Sequence, residues 1–186
     1  MANQFSLPSR FAALLTVAAG LLLSGCCANN ACDCDDADAD MVQLRFASSF
    51  NTGAGSADLD TVVIQRYPVP LPAGSKPEIV TLIRTAARSR DSIRLNNGTP
   101  FPQIGTTRLD GYRYVLQYYA TRPGSKPTLT TLVNINKIDL KGRLDGDGCC
   151  TCYINSGKTV FAQRNDFSPD SAFDLKLTPY YLLIRK

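Results

Sequence analysis

The apolar residues of this chain recur with a period of two rather than with the spacing of a helix. In residues 112–120, Tyr112, Tyr114, Leu116 and Tyr118 fall on one face of an extended strand. Further alternating or β-branched runs occur at 42–46, 60–67, 128–140, 153–154, 158–162, 173–177 and 180–185. Clusters of Gly and Pro separate these runs and predict turns. The pattern predicts an all-β fold, namely a β-sandwich of about seven or eight strands with an immunoglobulin-like or similar Greek-key topology.

Two segments of this pattern need separate interpretation. Residues 78–90 place several apolar side chains at helical spacing behind Pro77, but they begin with the composition of a strand, so one short helix is an alternative there. Residues 155–157, Asn-Ser-Gly, predict the turn of a hairpin because Gly favours such turns. We interpret the alternating tyrosines as core residues rather than as a platform for stacking sugars.

The seven cysteines lie in two groups at opposite ends of the chain. They are Cys26, Cys27, Cys32 and Cys34, followed by Cys149, Cys150 and Cys152. Pairing between neighbours in sequence is strained, so disulfides between the two groups are favoured, and the spacing does not choose among them. Free or partly paired thiols are one alternative. The other is a soft-metal site, because thiolates select copper or zinc ions.

The N-terminal segment has the composition of a secretory signal. Arg10 is the only charged residue before Asp33, and the apolar run 11–23 follows it. A helix of that length spans about 20 Å, which is shorter than the roughly 30 Å hydrocarbon core of a bilayer. Residues 1–25 are therefore predicted to be a signal peptide rather than a transmembrane anchor.

A short motif, Leu23-Ser24-Gly25-Cys26, ends this signal. It resembles the lipobox of bacterial lipoproteins. The resemblance implies that the thiol of Cys26 carries a diacylglycerol and that cleavage makes Cys26 the first residue; beyond this covalent lipid no cofactor is expected. Cys27, rather than Asp, comes next, which in that family implies sorting to the outer membrane. An ordinary signal peptide cleaved near Ala28 or Ala31 is the alternative.

A block of like charge follows these cysteines. Five of the eight residues 33–40 are Asp, and the block contains no basic residue. Like charges repel and favour an extended, solvated chain, so residues 26–41 are predicted to be a lipidated acidic tether. The block is also similar to the acidic export signal of some Gram-negative surface lipoproteins, which implies display on the outer face of the cell. Residues 42–186 are predicted to form a single β-sandwich domain.

The rest of the chain is basic and lacks the residues of common catalytic sites. Residues 41–186 carry 19 basic and 11 acidic side chains, a net charge of +8. The chain has no His and one Glu, which excludes His-dependent catalysis, His-ligated metal sites and two-Glu glycosidases. An enzyme is therefore not expected. Because the basic residues are scattered, nucleic acid is not expected as a partner, whereas an anionic glycan or another envelope protein is.

These observations converge on an envelope protein. We predict a lipoprotein that is anchored in the outer membrane, displayed outward, and built on a non-catalytic sandwich that serves binding or envelope structure. The alternative is a soft-metal or redox lipoprotein. It would use the two groups Cys27/Cys32/Cys34 and Cys149/Cys150/Cys152. A hydrolase built on Asp residues is a third and weaker hypothesis.

Overall fold

The computed structural model describes residues 32–50, 58–120, 126–147, 150–164, 169–177 and 180–186. The predicted signal peptide, Cys26, Cys27 and Cys149 lie outside these residues. The strands described are β1 (Val42–Phe46), β2 (Thr61–Pro68), β3 (Glu78–Ile83), β4 (Ile93–Leu95), β5 (Tyr112–Ala120), β6 (Thr128–Asp147), β7 (Cys150–Arg164), β8 (Ser171–Asp174) and β9 (Leu182–Ile184). One helical turn, α1 (Asp36–Ala39), and two 3-10 turns (Ala86–Arg88 and Leu109–Gly111) accompany them. None of the described helices is long and apolar enough to cross a membrane.

The larger sheet has six strands in the order β3-β2-β5-β6-β7-β8. β2 pairs antiparallel with β3 and with β5, and β5 pairs antiparallel with β6. The predicted period of two is confirmed in β5, where Tyr112, Tyr114, Leu116 and Tyr118 are buried and the residues between them are not. The tyrosines of this face are therefore core residues, as the alternation indicated.

The smaller sheet has three strands in the order β4-β1-β9. β1 is its central strand, antiparallel to β4 and parallel to β9. Both sheets contribute to one hydrophobic core, in which Leu44 and Ile184 of the small sheet join Leu116 and Ile135 of the large sheet. Two sheets that share a core confirm the prediction of an all-β sandwich.

The helix considered for residues 78–90 is wrong. β3 occupies the first part of this segment, and only the 3-10 turn Ala86–Arg88 follows. All of β3 pairs with β2, from Thr61 opposite Ile83 to Arg66 opposite Glu78. Pairing along a whole strand satisfies its backbone groups, and alternate residues then face the core, which outweighs a weak helical pattern.

The hairpin predicted at residues 155–157 is also wrong, because β7 runs through them without a turn. Asn155 is buried, and its carbonyl accepts a hydrogen bond from Lys176. Gly157 lies against Lys141, whose side chain would be 3.4 Å from a Cβ at that position. Asn155 and Gly157 thus make contacts with residues distant in sequence rather than a turn.

The chain divides into two compact units. The first comprises Met1–Asp35 and Leu144–Tyr153, of which residues 32–35, 144–147 and 150–153 are described. The second comprises Asp36–Arg143 and Ile154–Lys186, and it contains the hydrophobic core. The predicted signal peptide, tether and sandwich boundaries concern processing and anchoring, and they stay predictions.

Candidate functional site

Two disulfides tie the beginning of the described chain to the start of β7. Cys32 is bonded to Cys150 and Cys34 to Cys152, each with Cα atoms 5.4 Å apart and a sequence separation of 118. We call these two bonds the disulfide clasp; both lie in the first unit. Pairing between the two cysteine groups is therefore confirmed for these four residues. Because both bonds have the same sequence separation, the two bonded segments run in the same direction.

The clasp changes what the cysteines can do chemically. A soft-metal site requires thiolates, and the four sulfurs of the clasp are oxidised to disulfides. In this form they crosslink the chain. Two such bonds over so large a separation restrict the unfolded chain and therefore stabilise the folded one.

The second part of the acidic block is held by ion pairs and hydrogen bonds. The carboxylate of Asp40 is fully buried, accepting a hydrogen bond from Asn155 Nδ2 at 2.7 Å and another from the guanidinium of Arg108. Asp38 accepts a hydrogen bond from Asn96 Nδ2 at 2.6 Å, and its other oxygen lies 3.5 Å from Arg94 Nη2. We call Asp38, Asp40 and these four partners the aspartate anchor; all of it lies in the second unit.

A half-buried lysine completes the contacts of this segment. Lys158 Nζ donates a hydrogen bond to the backbone carbonyl of Met41, directly after Asp40. The pKa of Lys158 is lowered overall, and burial is the largest cause. Of the nearby charges, Asp40 and Asp38 raise this pKa, whereas Lys176 lowers it. The ammonium group is thus partly desolvated beside the anchor, where the negative charge of Asp40 partly offsets the effect of burial on its pKa.

The expectation of an extended, solvated acidic tether is wrong for its last residues. Residues 36–39 form the helical turn α1, and Asp40 is buried rather than solvated. The acidic block has no counter-charge of its own, but Arg94, Arg108 and Lys158 supply positive charge from positions distant in sequence. By contrast, Asp33, Asp35 and Asp36 are exposed.

A cleft of about 380 Å³ lies elsewhere in the second unit. It is lined by residues 81–84 at the end of β3, by residues 91–94, and by Thr99 and Pro100. Arg84 lines it but is used structurally, because its Nε donates to the carbonyl of Leu59 and its Nη1 to that of Asp91. Burial lowers the pKa of Arg84, while Asp91 raises it. No pattern in the sequence predicts this cleft, because the cleft depends on how β3 and β4 pack.

Comparisons of this chain with family models, with curated proteins and with solved structures give no match.

Proposed function

We propose that this chain is a lipid-anchored lipoprotein of the bacterial outer membrane, held by a diacylglycerol on Cys26 and displaying its β-sandwich outward for binding or for envelope structure. The disulfide clasp is the observation that carries this proposal. Cys32 and Cys34 follow Cys26 within eight residues, and both are oxidised. Because disulfides persist in oxidising compartments outside the cytoplasm, the clasp supports an envelope location for the segment behind the lipobox-like motif.

The charge of the chain supports a binding role. The net charge of +8 on residues 41–186 favours an anionic partner, such as a glycan or an acidic surface of another envelope protein. The aspartate anchor limits which carboxylates of the acidic block an export apparatus could recognise. Asp38 and Asp40 are used inside the fold, so the recognised carboxylates are proposed to be the exposed Asp33 and Asp35.

The anchoring part of the proposal is tested by metabolic labelling with a fatty-acid analogue. Wild-type chain is expected to incorporate the label, Cys26→Ser to lose it, and the matched variant Cys27→Ser to retain it. Equal labelling of wild type and Cys26→Ser would refute lipidation at Cys26. An impermeant amine reagent on intact cells tests display, because outward-facing lysines react and periplasmic ones do not. Failure to label a well-expressed protein would refute outward display.

The same protein distinguishes the soft-metal and redox alternative. The mass of the unreduced chain and a thiol titration in denaturant report how many cysteines are oxidised. Our proposal expects Cys32, Cys34, Cys150 and Cys152 to be unreactive until a reductant is added. If these four thiols instead react freely and stoichiometric copper or zinc copurifies, the soft-metal function replaces ours.

A further inference from the structure

β3 is one edge of the six-stranded sheet. Among the described residues, β2 is the strand that pairs with it, and its other side has no strand partner. Two large apolar side chains of β3 face solvent, Ile79 with 57% and Ile83 with 84% of its surface exposed. An exposed apolar edge strand offers a row of backbone donors and acceptors to another strand.

The backbone register of β3 identifies which of its groups point outward. The amide of Arg84 donates to the carbonyl of Asp60 on the β2 side. In an antiparallel pair, hydrogen-bonded positions alternate, so the even-numbered residues of β3 bond to β2. The N–H and C=O groups of Ile79, Thr81 and Ile83 therefore point away from β2, toward the open edge.

The opposite edge of the same sheet has features that disfavour the addition of another strand. β8 has four residues, and it contains Asp174. Short length and charge are two of the features by which proteins prevent strand addition. β3 has six residues with no Lys, Arg, Pro or Gly among them. Its first residue, Glu78, is held by the guanidinium of Arg66 at 2.6 Å, which leaves an apolar edge from Ile79 to Ile83.

We propose that the open edge of β3 pairs antiparallel with β3 of a second copy of this chain, about a two-fold axis at Thr81. Because the outward groups belong to odd-numbered residues, hydrogen-bonded pairing must place odd-numbered residues opposite each other; the register centred on Thr81 puts Thr81 opposite Thr81 of the other copy and Ile79 opposite Ile83. This register forms about six backbone hydrogen bonds. It also places two exposed isoleucine pairs side by side on one face, where β-branched cross-strand pairs stabilise a sheet.

Hydrogen bonding favours this register over the one shifted toward the N-terminus. A shift of about two residues toward the N-terminus puts Lys76 opposite Arg84 and Pro77, which has no N–H, opposite Ile83. The interface is small compared with the roughly 1,200–2,000 Å² of stable complexes, so a weak, concentration-dependent dimer is expected.

Cysteine crosslinking of the mature lipidated chain in detergent tests the proposal. In Thr81→Cys the two introduced thiols meet on the axis, and a mild oxidant is expected to link most of the protein into a homodimer. The matched control is Ser171→Cys, an exposed residue on the protected edge strand β8, which is expected to remain monomeric. Equal yields from the two variants, or no dimer from Thr81→Cys, would overturn the proposal.

A proline substitution gives a second test that does not depend on cysteine chemistry. Thr81→Pro removes an N–H that points outward and leaves the bonds to β2 intact, so the fold is retained. Sedimentation velocity is expected to show at least a tenfold weaker dimer than wild type, with an unchanged circular dichroism spectrum. An unchanged association constant in the folded variant overturns the proposal. A photo-crosslinker at Ile83 that captures a different protein instead of a second copy also overturns it.

Discussion

The disulfide clasp and the aspartate anchor both hold the segment that follows the predicted lipid anchor, but they use different chemistry. The clasp is covalent, and its four cysteines do not titrate. The anchor consists of carboxylates, cations and amides, with Asp40 fully buried. The clasp therefore depends on an oxidising compartment, whereas the anchor forms wherever the second unit folds. A reductant therefore separates them, because it breaks the clasp and leaves the ion pairs of the anchor.

Removal of the clasp is expected to have the largest effect. Replacing Cys32, Cys34, Cys150 and Cys152 by Ser frees a separation of 118 residues and is expected to cost about 4–5 kcal/mol of unfolding free energy on the chain-entropy model. Urea unfolding under oxidising conditions measures this loss. Wild type with reductant should lose a similar amount, and the Ser variant should no longer respond to reductant. A loss below about 1 kcal/mol would show that the clasp does not stabilise the fold.

Breaking the anchor at Asp40 is expected to cost somewhat less. Asp40→Ala removes the buried carboxylate that accepts hydrogen bonds from Asn155 and Arg108, and it is expected to destabilise the chain by about 3 kcal/mol. The matched control, Asp35→Ala, changes an exposed aspartate of the same block and should stay within about 0.5 kcal/mol of wild type. Equal effects of the two substitutions would mean that Asp40 is not special within the acidic block.

The exposed member of the anchor should contribute little. Arg94 is 57% exposed and lies 3.5 Å from Asp38, so Arg94→Ala is expected to cost about 0.5 kcal/mol or less. Arg108 contacts a fully buried carboxylate, and Arg108→Ala should cost clearly more in the same urea titration. The reverse order would indicate that the anchor depends on Asp38 rather than on Asp40.

The smallest expected effect is a pH dependence that comes from Lys158, which lies beside the anchor. Because burial lowers the pKa of Lys158 in the folded chain below its ordinary 10.5, the folded state releases this proton first. The unfolded state then binds more protons, so stability contributed by this group rises with pH toward 10.5. The unfolding free energy of wild type minus that of Lys158→Met should therefore increase across this window. A flat or falling difference contradicts the lowered pKa.

The period of two was sufficient to predict the all-β class and the buried face of β5, because burial alternates with the pleat wherever one face meets the core. Pairing between the two cysteine groups also followed from the strain of the short pairings. The aspartate anchor could not be predicted from the sequence, because only the fold brings Asp40 and Asn155 together. The composition around Asn155 favours a turn. No neighbouring residue indicates that Asn155 donates a hydrogen bond to the distant carboxylate of Asp40.

The parallel pairing of β1 with β9 has a consequence for the timing of folding. β1 is the first strand described and lies at the centre of its sheet, yet Leu44 pairs with Leu182, almost the whole sandwich later in the chain. Contacts so distant in sequence are slow to form, and the small sheet stays incomplete until β9 is available.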